Sequence, residues 1–360
     1  LAFRGATGAH NAITDVRGVS VGHVTVWHGH AATTSGSPTD RVARTGVTAI
    51  VPVAGDAGDD VNDRLHALYS RPIAAGTAVL NGAGELTGSI EVAEWGILET
   101  PILLTGTSSV GRAYDAAVDA MYAAGADEVV IPVVGECDDS WLDDHRRRWV
   151  TTDHARDAIA AAASGPVAEG SVGAGTGMIT MGHKAGIGTS SRLVDGIGTV
   201  GVLVLANFGA VDDLRVGGVV VGPTLRAERA ERVDERGARS SCIGVVATDI
   251  PLDARQLGRV ARRVGLGLAR VGSVAHHGSG DIFIAFSTTN RLHRSPAGRV
   301  SIELLADGSL DDVFTAVVDA TEEAVCNALF VADTVTGVEG HVAPGLPVAR
   351  VVELVGRAQR

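Results

Sequence analysis

The stretch Ser240-Ser241-Cys242-Ile243-Gly244-Val245-Val246-Ala247-Thr248-Asp249-Ile250-Pro251 reads as a strand entered through two serines and closed by a polar turn. A short apolar run with polar residues at both ends is the mark of a buried strand. Asp253, just after Pro251, is placed to cap a helix over 253–271 that carries basic residues from Arg255 to Arg270. The chain then returns through GSVAHHGSGDIF at 272–283. Residues two apart in a strand face the same side, so Ser279 and Asp281 can act together. One helix between Ser241 and Ser279 leaves enough chain for a strand–helix–strand return.

Upstream lies a different texture. Residues 224–240, TLRAERAERVDERGARS, are dense in both charge signs and poor in large apolar side chains. Strand-like runs at 216–221 and 242–247 flank them. Composition alone makes this a solvated loop or short helix. Its position directly before Ser241 gives it a sharper reading, an exposed connector that ends at a processing site.

Farther out, the pattern alternates between strands and helices. Apolar runs predict strands over 47–53, 101–105, 128–134 and 198–205. Helical periodicity predicts helices over 110–124, 153–163 and 310–332, the last with Val313, Ala316, Val317, Ala320, Ala324 and Leu329 in roughly a three-to-four-residue rhythm. No fixed-period repeat and no long low-complexity linker divides the chain.

The ordered set of motifs resembles the DmpA/BapA group of aminopeptidases, the P1 family of self-processing serine hydrolases. NAITDVRGVSVGH at 11–23 is similar to that family's opening. GELTG at 84–88, GTGM at 175–178 and GIGTSSR at 186–192 are similar to its glycine-rich loops. ATD at 247–249 together with SGDIF at 279–283 is the most specific pair. The resemblance implies a four-layer αββα sandwich of the DmpA/ornithine acetyltransferase type, one domain over 1–360 cut by itself into 1–240 and 241–360. It also implies a role for each site residue. Ser241 is the nucleophile, and Ser240 stands where the family usually has glycine. Ser279 and Asp281 are the partners of the nucleophile. Asn207, after the strand 198–205, donates to the oxyanion. Glu136, at the end of the strand 128–134, binds the free amine of the substrate. Asp138 stands where a relative carries a tyrosine at the reaction centre, with Trp141 nearby, so the substrate pocket departs from the family there. A homotetramer of cleaved heterodimers and the absence of any cofactor are further implications.

The chemistry stands on its own beside the likeness. A serine hydroxyl needs a base next to it to become a good nucleophile. A serine that begins a chain carries such a base in its own α-amine, whose pKa of about 7.7–8.0 lies near working pH. Making that amine requires cutting the bond between Ser240 and Ser241. A carboxylate for the ammonium of a peptide suits an exopeptidase. An endo-amidase of the oligoamide, nylon-oligomer type shares the self-cleaving architecture without needing that counter-charge, and is the alternative.

Composition narrows the partners. With 45% hydrophobic residues among 360, a large core is affordable. A formal charge of -12 and only 4% aromatics argue against nucleic acid and against anionic membrane surfaces. The expected partner is a small peptide or amide. Cys137, Cys242 and Cys326 form no CxxC pair, and an odd count fits a reducing cytoplasm. The expectation is a chain with no signal peptide and no membrane span. His276-His277 suggests a metal, but no HExxH motif accompanies it and no metal is expected. A nucleotide-binding protein is the other rival: GAGELTG at 82–88 misses GxGxxG by one residue, and Lys184 comes one place too late for a P-loop.

Overall fold

The run at 198–205 is apolar on both faces, and a strand of that kind has to be covered twice. In the computed structural model, which describes residues 3–29, 41–52, 60–229, 240–294 and 298–358, it lies within β10 (Gly198–Asn207). Val200, Val202, Val204 and Ala206 join one buried cluster, and Leu203 and Leu205 another. The sheet around it has six strands in the order β4 (Ile97–Leu98), β3 (Ile73–Gly82), β14 (Gly280–Arg291), β13 (Ser241–Thr248), β10 and β9 (Ile187–Val194). Only β13 and β14 run parallel, joined by a helix crossover; the other neighbours are antiparallel.

A second sheet has the order β1 (Val19–His28), β2 (Ala43–Pro52), β5 (Ile102–Gly106) and β6 (Val133–Cys137). Here β5 and β6 are the parallel pair. Three small ribbons complete the strands: β7 (Ile179–Thr180) with β8 (His183–Lys184), β11 (Arg215–Val216) with β12 (Val219–Val220), and β15 (Val335–Thr336) with β16 (Val342–Ala343). The helices are α1 (Val61–Ser70), α2 (Ser89–Trp95), α3 (Val110–Ala123), α4 (Thr152–Ala160), α5 (Gly222–Glu228), α6 (Ala254–Val271), α7 (Leu310–Val331) and α8 (Val348–Ala358).

Three cores stack between these layers. Val47, Ala49 and Val51 of β2 pack with residues of α1, α3 and α4. Ile50 and Leu104 of the same sheet meet Leu203, Ile243 and Ile284 of the other, filling the space between the sheets. Val202, Val246 and Ala285 meet α6 and α7 on the far side. The result is the four-layer α/β/β/α sandwich that the resemblance implies. Close approach of α7 to β9 depends on Gly188, where a Cβ would come within 1.9 Å of the Ala324 carbonyl oxygen.

Local signals explain the elements read correctly. Asp253 accepts from Gln256 N at 2.7 Å and Gln256 accepts from Asp253 N at 3.2 Å, a reciprocal cap at the start of α6. Other expectations need correction. The strand expected over 128–134 is confined to Val133–Cys137. Pro132 has no N–H to offer, and the backbone before it is taken by side chains: Tyr69 Oη accepts from Glu128 N, and Arg294 donates to the Val129 carbonyl. The run at 216–221 is the ribbon β11–β12, because Gly217 and Gly218 turn inside it with φ of 57° and 79°. The polar stretch 224–240 begins inside α5, with Pro223 in its first turn; residues 230–239 lie outside the described residues.

Candidate active site

Antiparallel and parallel neighbours together bring four strand ends to one side of the six-stranded sheet. Ser241 is the first residue of β13, Asn207 the last of β10, Gly280 the first of β14 and Gly82 the last of β3. Register pairs Ser241 with Asn207 on one side and with Gly280 on the other, and Gly280 with Gly82. Asn207 thus ends the strand rather than following it. Ser241 is buried, and its Oγ donates to the carbonyl oxygen of Ser240 at 2.8 Å. The same oxygen accepts the Gly280 N–H at 3.0 Å. The peptide bond before Ser241 is therefore held by the sheet, with the hydroxyl of the next residue lying against it.

Ser279 and Asp281 flank Gly280. A turn fixes Ser279: its N–H donates to the His276 carbonyl at 2.8 Å, and Asn81 Nδ2 donates to the same carbonyl at 2.8 Å. Both side chains are buried. Ser279 Oγ and both carboxylate oxygens of Asp281 have no hydrogen-bond partner among the described residues. Burial pushes the Asp281 carboxyl above the usual carboxylate range, and the neighbouring Ser279 hydroxyl and His276 only partly offset it. Unpartnered buried groups of this kind are rare and costly, and each calls for an explanation. His276 itself reaches Asp213, Nε2 to Oδ2 at 3.0 Å, and no cluster able to hold a metal exists among the described residues.

Asn207 is oriented from two sides. Its Oδ1 accepts the Ile179 N–H at 2.9 Å, and its Nδ2 donates to the Asp138 carbonyl at 3.0 Å. So Asp138 meets Asn207 through its backbone. The Asp138 side chain is turned into its own loop, where Oδ1 accepts from Ser140 N at 2.9 Å. That loop is clamped from the C-terminal part of the chain: the Trp141 ring stacks on His341 at 3.8 Å between centroids.

Glu136 lies within β6, not beyond a strand, opposite Thr105 of β5. Its Oε1 accepts the Glu85 N–H at 3.0 Å and its Oε2 accepts the hydroxyl of Thr107. Burial raises its pKa, while those two donors and the acidic neighbours Asp138 and Glu85 pull in opposite directions. The Gly84 loop joins this carboxylate to the side that holds Ser241. A Cβ on Gly84 would lie 3.0 Å from Gly280 Cα and 3.1 Å from Glu136 Oε1, so the absence of a side chain there keeps the space between them open. Thr107, Glu85 and Gly280 escape sequence reasoning because two act through backbone N–H groups, which have no residue signature, and Thr107 comes from the turn after a different strand.

The lysine of the stretch that comes near a P-loop is spent on the protein itself. Gly173–Gly177 is a buried turn, and Lys184 Nζ donates to the carbonyls of Gly175, Met178 and Ala185 at 3.0, 2.9 and 2.5 Å. Burial lowers the pKa of that lysine to about 7. Its three donors are spent on backbone, which leaves none for a phosphate.

Comparison with known proteins agrees with this arrangement. The model of peptidase family S58 matches residues 11–343. A beta-peptidyl aminopeptidase, BapA, from Sphingosinicella microcystinivorans is 40% identical over 377 residues, covering 99% of this chain and 91% of its own. Among solved structures, the L-aminopeptidase D-Ala-esterase/amidase of Ochrobactrum anthropi, described as a variant of the Ntn-hydrolase fold, superposes with a TM-score of 0.87 at 38% identity, covering 100% of this chain and 97% of that one. A beta-aminopeptidase from a Burkholderia species gives 0.85 at 38% identity, with 99% and 97% covered. The chain belongs to peptidase family S58 and is a serine aminopeptidase of the Ntn-hydrolase kind.

Proposed function

We propose that this aminopeptidase cuts its own chain between Ser240 and Ser241 and then uses Ser241 to release N-terminal residues from small peptides, amides or esters. The observation that carries the reading is the hydroxyl of Ser241 resting 2.8 Å from the carbonyl oxygen of the residue before it. In the first step Oγ attacks the Ser240 carbonyl carbon. The C–N bond breaks, the hydroxyl proton goes to the departing amide nitrogen, and Ser240 is left as an ester on Oγ. Water hydrolyses that ester to a Ser240 carboxylate and a free Ser241 with an α-amine. The Gly280 N–H, already on the Ser240 oxygen, steadies the charge that develops there.

The new amine gives the unpartnered groups a role. Ser279 Oγ and the Asp281 carboxylate lie beside the strand end where it forms, and can accept its N–H bonds. During turnover the amine takes the Oγ proton as Oγ attacks the first carbonyl of the substrate, then passes it to the leaving amine. Asn207 Nδ2 and the Gly280 N–H are the donors for the tetrahedral oxygen; Asn207 must then exchange the Asp138 carbonyl for that oxygen. Glu136 receives the free ammonium of the substrate. The acyl group on Oγ is the same kind of ester in self-cleavage and in turnover, so one set of donors serves both. The names of the relatives point to β-peptidyl substrates, to peptides with an N-terminal L-residue, and to D-Ala esters and amides as the classes to try first.

The reading extends to a homotetramer of cleaved heterodimers. It also extends to the cytoplasm, supported by three buried free cysteines. No helix of the described residues is long and apolar enough to cross a membrane. Mass spectrometry of the purified protein should give two fragments, the smaller beginning at Ser241, and Ser241→Ala should remain one chain of 360 residues. An active wild-type chain that stays whole overturns the proposal.

A further inference from the structure

A buried carboxylate binds a cation well only while it is ionised and held still. Around Glu136 the charged groups are Glu85, from the loop after β3, and Asp138, just after β6. Both are acidic, so both favour the protonated form. What opposes them is two hydrogen bonds. One comes from the Glu85 N–H, fixed by the backbone. The other comes from the hydroxyl of Thr107, an exposed side chain immediately after β5, the parallel neighbour of the strand that carries Glu136.

We propose that Thr107 is the positioning residue for amine recognition, a role that rests on Glu136 being the site for the substrate's ammonium. The Thr107 hydroxyl holds Oε2 of Glu136 in place and in the ionised state, so that the remaining lone pairs of the carboxylate face the incoming ammonium. The parallel pairing of β5 and β6 is what permits this. Thr105 lies opposite Glu136, and two residues later the chain leaves the sheet with a side chain able to reach back. A carboxylate has about four acceptor positions. The two protein donors take one on each oxygen, which leaves room on both for a substrate N–H. Without the hydroxyl, Oε2 loses its donor while burial and both acidic neighbours remain, and the balance moves toward a neutral acid held only through Oε1.

The test uses the processed enzyme, with cleavage confirmed by mass. Thr107→Val keeps the shape and removes the hydroxyl; Thr107→Ser restores it. For a free-amine dipeptide amide, Thr107→Val should raise KM by about tenfold, the size of one hydrogen bond to a charged group, with kcat little changed. The acid limb of kcat/KM should move to higher pH, because a Glu136 that has lost a donor ionises later. An N-acetylated substrate should show neither effect, and Thr107→Ser should resemble wild type. In a Glu136→Gln background, Thr107→Val should add nothing. A Thr107→Val enzyme with wild-type KM and an unmoved acid limb, beside a Glu136→Gln enzyme with raised KM, overturns the role of Thr107 and leaves that of Glu136. If Glu136→Gln is itself without effect on free-amine substrates, the amine-binding reading falls first.

Discussion

Two buried carboxylates stand on either side of the Gly84 loop, and they differ in how complete they are. Glu136 has a donor on each oxygen, from Glu85 and Thr107. Asp281 has a well-formed hydrogen bond on neither, among the described residues, with only the Ser279 hydroxyl close beside it. Burial raises the pKa of both. The contrast separates the site into an end that is finished in the uncut chain and an end that lacks a donor. The end proposed to bind the amine is assembled by folding alone. The bond-cutting end, in our reading, is completed by chemistry, when the α-amine of Ser241 appears next to Ser279 and Asp281. If so, damage at the two ends should be told apart by kinetics: kcat and processing on the Asp281 side, KM and selectivity on the Glu136 side.

The largest effect should come from Asn207, on the bond-cutting side. Asn207→Ala should lower kcat by roughly 10²–10³, the usual result of deleting one oxyanion donor, with KM nearly unchanged. The measurement is steady-state kinetics on protein whose cleavage has been confirmed, since the same donor can serve the self-cutting step. A rise in KM at constant kcat would move Asn207 to the other end of the site and break the division.

At the finished end, N-acetylation of the substrate should cost at least tenfold in kcat/KM, because a partly buried carboxylate left facing a neutral group loses about 2–5 kcal/mol. Glu136→Gln should narrow the gap between free and blocked substrates, chiefly by weakening the free one. Asp138→Asn, run in parallel, reports whether the neighbouring acid shares the task. Equal rates for free and blocked peptides in wild type would favour the endo-amidase alternative and leave Ser241 untouched.

The smallest effect probes the contrast directly, through stability. In uncut Ser241→Ala protein, Asp281→Asn should stabilise, because an unpaired neutral amide costs less to bury than an unpaired charge. The gain should be on the order of 1–3 kcal/mol, the cost of an unsatisfied buried group. Its pH dependence has a definite sign. A carboxyl whose folded pKa is raised favours the fold below its ordinary value, about 3.9, and that contribution is lost as pH climbs through the folded value. The advantage of Asn over Asp should therefore grow with rising pH. In cut protein, where Asp281 has an ammonium to bind, the same substitution should destabilise. Thermal melts of the four proteins at two pH values decide it; stabilisation in both backgrounds would show that the amine is not the missing partner.

Much of the fold is legible in the sequence, and the exceptions have local causes. Helices α3, α6 and α7 announce themselves by periodicity and, for α6, by the Asp253 cap. The strand expected from residue 128 looks apolar, but Val129 is 76% exposed and Pro132 interrupts the donors, so apolar content there does not mean burial. The run at 216–221 looks continuous as sequence, but its two glycines fold it back on itself. The residues named for the bond-cutting end come from likeness, and the sheet does gather Asn207, Ser241, Ser279 and Asp281 on one side. The support for Glu136 is not legible, because a backbone N–H and a threonine from the turn after a neighbouring strand leave no spacing to notice.

The strand order also bears on what a cut at Ser241 would leave behind. In the six-stranded sheet β13 and β14 come after the cut, and they lie between β3 and β10, which come before it. The shorter fragment is therefore enclosed on both flanks by ladders to the longer one. Separation of the two fragments and melting of the sheet would be a single event, and dilution that pulls ordinary subunits apart should leave this pair together.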